Sequence, residues 1–485
     1  MKITLSSIII PLLLSGVRTS FARILGRRDN PTRADDVIHN TMKTNTMSKN
    51  KQNLRARLNP SSRALDVVEE PGELKDWKQI GQSITGEAYL DLSGKGLSIS
   101  DDGTIVAIGA VDNDGESGLV DNDQGHVRVF KYDQEANTWN QIGGDINGVF
   151  AEDQFGHALS LSGDGSCLAV GVPYHDRPGE ENIGRVKLLK YDGTDWVQRG
   201  SQIFGEAKGD ESGFSVSMNY DGSLVAIGAP DHDSPAGYNS GYARVFKWTG
   251  TQWLQKGSDI DGESAYDEYG YSVALSGDGT TIAVGATMNN GVSGRNSGHV
   301  RVHKWNGDDW EQRGADIDGE YYHDEIGYSV SLSYQGNVVV FGAPKISDRG
   351  GARVFSWDTT TLAWAPRGEE FCGDHYDNRY GTDVSISNDG NRIAIGVPFG
   401  DGNGTEVKVD SGHCKTYEWT GTSWVELGTI LYGDKIGDTF GTTVSMSGDG
   451  RHVAVGGPRN GNTGGGLGGY VGHVKIFELK SKNEQ

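Results

Sequence analysis

Three cysteines in 485 residues, Cys167, Cys372 and Cys414, are too few and odd in number for a disulfide framework, so packing must hold the fold. A Cys372–Cys414 bridge stays open, while Cys167, inside an apolar run, reads as a small buried hydrophobe. No stretch sustains a 3.6-residue apolar period, which excludes a helical architecture. The chain also lacks a nucleophile elbow, a phosphate-binding loop and His or Cys residues at metal-ligand spacing. Positive charge is scarce beyond the first seventy residues: residues 1–70 carry 12 Lys+Arg against 6 Asp+Glu, leaving 32 against 60 for the rest, a net charge of -28. So acidic a body argues against nucleic acid as partner and favours cations, basic ligands or plain solubility.

Long hydrophobic runs are missing too. The apolar run from Ile3 to Val17 is short for a membrane span; with Lys2 before it and Ser20, Phe21 and Ala22 after it, residues 1–22 read as a signal peptide. An uncleaved signal-anchor tethering the protein to a membrane is the alternative. Residues 23–70 are basic, polar and without periodicity, a disordered leader or linker ahead of a domain over 71–485. The single glycosylation sequon begins at Asn403. Together these features imply a secreted or cell-surface protein with no stable membrane span.

What is abundant is glycine, 73 residues, and it recurs at fixed places. A first glycine falls at 94, 156, 213, 270, 327, 381 and 441; a second follows nine residues later, and a third six beyond that, in every copy. The whole period drifts between 54 and 62 residues, so a rigid supersecondary unit repeats and the loops absorb the variation. Seventeen residues before each first glycine stands a tryptophan, at 77, 139, 196, 253, 310, 364 and 424. Each unit holds a tryptophan strand, an alternating serine-rich strand such as Ser215–Met218, a nearly all-apolar strand such as Leu224–Gly228, and a further alternating strand. An Asp-Gly pair joins the serine strand to the apolar one, the signature of a type I′ hairpin with positive φ at both central residues. Seven such units predict an all-β, seven-bladed β-propeller with four antiparallel strands per blade and the serine strand innermost. The Trp77 strand is expected to close the last blade by pairing with residues 472–479, which removes an exposed edge.

Three series recur with the blades. An aromatic at Tyr132, Tyr191, Trp248, Trp305, Trp357 and Trp419, with Leu479 the exception, reads with the tryptophans as packing between blades. A basic residue stands at Arg128, Lys187, Arg244, Arg301, Arg353, Lys415 and Lys475. An acid stands three before the first glycine at Asp91, Asp153, Asp210, Asp267, Asp324 and Asp438, with Asn378 the exception; these carboxylates either order their loop, alone or by pairing with the basic series, or bind a ligand. Alternation of strand direction puts the loop after the apolar strand and the loop after the tryptophan strand on one face. The former is longest over Val111–Gln124, Val397–Ser411 and Gly457–Val471, in three adjacent blades. This acidic face, with Asp153, Asp210, Asp267, Asp324 and Asp438, is the expected contact surface. Asp112, Asp114, Asp121 and Asp123 supply oxygens for a cation without matching a ligand spacing. His175-Asp176 and His232-Asp233, at matching positions in blades two and three, are read as surface residues.

The segments Gly213–Val216 with Gly228–Pro230, Gly327–Val330 with Gly342–Pro344, and Phe440-Gly441 with Gly456–Pro458 resemble the FG-GAP repeat of the integrin α-chain propeller. The resemblance spans residues 77–479 and implies the fold. It also implies calcium at the turn between the first two strands, held by several alternate acidic oxygens. Here that turn, as in Ser160–Leu168, keeps one carboxylate, Asp164, and the copy at Tyr334–Gly336 keeps none, so a tight hairpin is the reading of these degenerate turns. The function expected is a non-catalytic interaction or adhesion module for a protein or glycan partner. A carbohydrate-active or metal-dependent enzyme on a propeller face is the alternative, and needs acids, bases or metal ligands that one blade has and its siblings lack.

Overall fold

The computed structural model describes residues 75–115, 123–291, 293–402, 408–461 and 470–481. The proposed signal peptide and leader, Asp121 and the Asn403 sequon lie outside them. Blade one shows the plan: inner strand Gly96–Ile99, second strand Ile105–Ala110, third strand His126–Asp133, and outer strand Thr138–Gln141. All pairings are antiparallel, with Leu97 opposite Ile108, Ala107 opposite Val129 and Tyr132 opposite Trp139. Seven such sheets make a seven-bladed β-propeller. The tryptophan strand is the outer strand of the preceding blade, and Lys75–Gln79 completes blade seven with Trp77 opposite Leu479, as the closure argument requires. The second strand is buried throughout its length, as in Leu224–Ala229, because sheets cover it on both sides, and its sequence shows no alternation.

Two features depart from the sequence reading. The outer strand comes in two pieces: Gln141 faces Phe130 while Ile146 faces Val127, so four outer residues, 142–145, span two on the third strand. Gly143, at φ 74°, serves this wide bulge. The inner hairpins are also not type I′. At Ser100–Gly103 only the glycine is left-handed, at φ 71°, and Gly103 N–H donates to the Ser100 carbonyl at 2.9 Å. The aspartate stays right-handed because its carboxylate accepts from the Ser100 hydroxyl at 2.6 Å and Thr104 N–H at 2.9 Å, a local network satisfied in a type I turn followed by a glycine bulge.

The inner serines fasten neighbouring blades. Ser98 Oγ accepts from Leu161 N–H at 2.9 Å, and Ser160, Ser217, Ser331, Ser385 and Ser445 do the same with Met218, Leu275, Ile386, Met446 and Ile99. Ala274 is the one gap in this belt. At the periphery every outer-strand tryptophan donates its indole N–H to a carbonyl three residues past the tryptophan of the preceding blade, at 2.7–3.1 Å. Trp77 to the Leu427 carbonyl closes this outer ring. All three cysteines are free thiols. Cys372 lies exposed in blade five, and Cys414 is buried in blade six with its thiol pushed up to about 12 by burial, so they form no bridge.

On the lower face the hairpin turns join in a ring, Asp101 N–H donating to the Gly163 carbonyl and Gly448 N–H to the Asp101 carbonyl. Their tips are Asp101, Gly163, Tyr220, Gly277, Tyr334, Asn388 and Gly448. Large tips lean over small ones: a Cβ on Gly163 would meet the Tyr220 ring at 2.3 Å, and one on Gly277 the Tyr334 ring at 2.3 Å. This closes the axial channel from below.

Candidate functional site

The recurrent aspartates are buried beneath the upper face, and their own loops use their oxygens. Asp91, Asp153, Asp210, Asp267, Asp324 and Asp438 are each at most 2 % exposed. Asp210 accepts from the N–H groups of Glu206 and Ala207 at 2.8 and 2.9 Å, Asp324 from those of Glu320 and Tyr321, and Asp438 from those of Asp434 and Lys435. The second oxygen takes a side chain from the loop after the second strand: Asn113 for Asp91, His232 for Asp210 at 3.0 Å, and His175 for Asp153. In Asp267 the Ser264 N–H, at 2.9 Å, and Asn289, at 3.1 Å, both bond Oδ2, and the buried Oδ1 has no hydrogen-bond partner. Burial raises the pKa of Asp153, Asp267, Asp324 and Asp438 above the ordinary carboxylate range. Of the residues expected to meet a partner, Asp153, Asp210, Asp267, Asp324 and Asp438 therefore shape the loops from below. His175 and His232, read as surface residues, are likewise drawn inward, because each has a buried carboxylate to satisfy.

The basic series pairs with a different acid, seven residues before the first glycine, which sequence reasoning missed. Arg128 meets Glu87 at 3.2 Å, Arg353 meets Glu320 at 3.2 Å, Lys415 meets Asp374 at 2.9 Å and Lys475 meets Asp434 at 2.6 Å. Arg244 pairs with Glu206 and Arg301 with Glu263 in the same way. The spacing of that acid was open to inspection. Blade two has Val149 at that position, and there Lys187 points its ammonium at the Phe155 ring, 5.4 Å away.

Asp112 is pushed up to about 6, by burial and then by the charge of Asp123, with Asp114 adding to the repulsion, a repulsion that a cation would relieve. Among the described residues one cluster brings His, Asp and Glu ligand atoms together, Glu263, His299 and Asp316. Its two carboxylates are bridged by the Arg301 guanidinium, which takes the place a metal would need. At the hairpins burial raises Asp164, but hydrogen bonds from Ser162 and Ser166 outweigh it and bring its pKa below the usual value. A carboxylate so satisfied by its own turn has no alternate oxygens beside it to share a calcium ion.

At the axis the channel opens upward as a cavity of about 370 Å³. The residue after each first glycine lines it: Lys95, His157, Phe214, Tyr271, Tyr328, Thr382 and Thr442. Blades two to five thus give a continuous aromatic arc, with ring centres 4.9 Å apart from His157 to Phe214 and from Phe214 to Tyr271, and 5.1 Å from Tyr271 to Tyr328. Acids gather beside the arc. Glu211 is pushed up to about 7 by burial and by Asp231 and Glu268, and burial also raises Asp231 and Glu268. Asp383, in the place of a small residue on its sibling strands, is pushed up to about 6 by burial although Ser329 and the Val384 and Val444 N–H groups bond it.

Exposed aromatic groups crowd the upper rim. Tyr89, Tyr238, Tyr266, Tyr321, Tyr322, Tyr376 and Ile436 are 60–70 % exposed, all on the loops of this face. Among the described residues the lower face offers Tyr220 and Leu362. No described helix is long and apolar enough to cross a membrane.

Residues 259–302 match the model of the FG-GAP repeat family, a span running from the outer strand of blade three through the inner, second and third strands of blade four. No curated protein matches the chain. Seven copies of the same unit close into one ring, an architecture consistent with an integrin α-like FG-GAP propeller.

Proposed function

We propose that this propeller is a non-catalytic, extracellular interaction module that holds a basic protein partner on its upper face. The observation that carries the reading is the gathering on that rim of Tyr89, Tyr238, Tyr266, Tyr321, Tyr322 and Tyr376, each 60–66 % exposed. Tyrosine gives large contact area with few rotors to freeze, and it is over-represented where interface energy concentrates. The net charge of -28 on residues 71–485 supports a basic partner. So does the channel mouth, where Glu211, Asp231 and Glu268 crowd beside Phe214, Tyr271 and Tyr328. A lysine or arginine entering there would relieve the acids and lie against aromatic faces. The apolar run after Lys2 supports secretion.

The test is an array of secreted and cell-surface proteins probed with the full chain and with a Tyr266→Ala, Tyr322→Ala, Tyr376→Ala triple variant. All three side chains are exposed, so the melting temperature should hold while binding falls. A partner bound equally well by the triple variant would sink the proposal.

A further inference from the structure

Blade two departs from the pattern of its siblings: where the other six place an acid that pairs with the third-strand cation, it has Val149. At its upper outer corner lies an open depression of about 630 Å³. Phe150, His175, Arg177, Arg185, Gln202 and Phe204 line it.

These groups form a specific set. His175 stands between the two phenylalanines, its ring 5.3 Å from Phe150 and 5.9 Å from Phe204. The Arg177 guanidinium covers one face of Phe204 at 3.6 Å, and Phe150 is half exposed at the entrance. Beneath them Arg185, 6 % exposed, donates to Asp153 at 3.0 Å and to Gln202 Oε1 at 2.9 Å, while its buried Nε has no partner. Because Gln202 Oε1 is taken, its Nε2 is left to donate. Because His175 Nδ1 faces the Asp153 carboxylate at 3.0 Å, the proton sits there and Nε2 is left to accept. Asp153 offsets the Arg185 charge, so the floor is close to neutral.

An anion would use only donors, and an apolar ligand would strand every polar group. A hydroxylated ring with one apolar face meets both kinds of group: its C–H face against Phe150 and its hydroxyls on Gln202, Arg177 and His175. We propose that the upper outer corner of blade two is a carbohydrate subsite that binds a single pyranose ring. This goes beyond the protein-facing rim and stands on different residues.

The test is a glycan array probed with the full-length protein, followed by calorimetry with the methyl glycoside of the strongest hit. Phe150→Ala and Gln202→Leu should each weaken binding by about tenfold or more at unchanged melting temperature, roughly the loss of one stacking face or one hydrogen-bond donor. Tyr266→Ala, on the rim, should leave it intact. The proposal fails if no pyranoside binds, or if both pocket variants bind as the wild type does. Loss of sugar binding in Tyr266→Ala alone would also overturn it, by moving the site to the rim.

Discussion

The seams of blades two to six differ from those around the ring closure, and the difference follows one aromatic position. Between blades two and three, three and four, four and five, and five and six, a cation lies over a tryptophan pair. Arg199 covers Trp248 at 4.9 Å, Lys256 covers Trp305 at 4.0 Å, Arg313 covers Trp357 at 4.5 Å and Arg367 covers Trp419 at 4.9 Å. At the other three seams the equivalent residue is Leu427, Ile80 or Ile142, and the aromatic beside the outer tryptophan is Leu479, Tyr132 or Tyr191. Indole has the ring face that best rewards a cation, and a cation set over leucine or tyrosine regains less of its lost hydration. So the charge appears where two tryptophans meet it, and an aliphatic side chain where they do not. Blades six, seven and one, joined by two of these aliphatic seams, also bear the three longest upper loops and the joint between the chain ends.

The sharpest way to probe the contrast is at the joint. Trp77→Ala should cost ~3–5 kcal/mol in urea unfolding, as for any buried tryptophan. Unlike Trp310→Ala, it should also release Lys75–Gln79 to protease, because that strand is the one outer strand not continuous in sequence with the blade it completes, and its backbone pairs with blade seven alone. Equal protease resistance in the two variants would show that closure adds nothing of its own.

Acid should draw a second contrast, between blades with a buried histidine on the third strand and blades without one. His413 and His473, at the start of the third strand in blades six and seven, are held down to about 4 by burial, and burial lowers His126 in blade one. An unfolded histidine titrates near 6.5, so as pH falls from 6.5 to 4 the unfolded chain takes up protons that the folded one refuses, and stability present above 6.5 is lost. Blade four carries His299 at this position, lowered by burial, and His303 on the same strand, held down to about 4, whereas blades three and five carry Tyr242 and Gly351 there. Amide exchange at pH 5 should therefore speed up in blades one, four, six and seven before blades three and five; a uniform rise would break the comparison.

Smaller effects should follow within the cation half. Arg313→Ala removes the cation over Trp357 and two hydrogen bonds, to the Gly336 carbonyl and to Asn337, and should cost ~1–2 kcal/mol by denaturant midpoint. Ala274→Ser should complete the inner belt by offering an acceptor to Leu332 N–H, and raise stability by ~1 kcal/mol or less. No gain there would mean that the belt serine only replaces water.

The fold was legible because it rests on glycines at fixed spacing, and a turn or a close backbone approach leaves its mark at one position. Gly103 marks where two strands turn, and Gly109 where a Cβ would meet the Gly156 carbonyl of the next blade at 2.3 Å. The upper face was singled out in the sequence by strand alternation and loop length. What stayed hidden depends on contacts between blades. Ser98 and Ser160 read as the polar side of an alternating strand, and nothing local says that each oxygen accepts from the next blade. The aspartates read as surface acids because the residues that bury them, Asn113, His175 and His232, stand 22 positions further on. Glu87 and its siblings kept a regular spacing and could have been found. Val149 was the informative exception, visible only against them.

The tips of the lower turns carry a consequence of arithmetic. Large and small tips can alternate without fault around a ring only if the number of blades is even. Seven is odd, so at least one pair of like neighbours is forced, and here it is a large pair, Tyr334 and Asn388 in blades five and six. There Asn388 reaches over the small tip of blade seven to bond Asp101 of blade one at 2.6 Å. That mismatch marks one blade boundary as unlike the rest. A ring of six or eight of these units would have no place for it, so the parity of the tips helps to count the blades and gives each a fixed address.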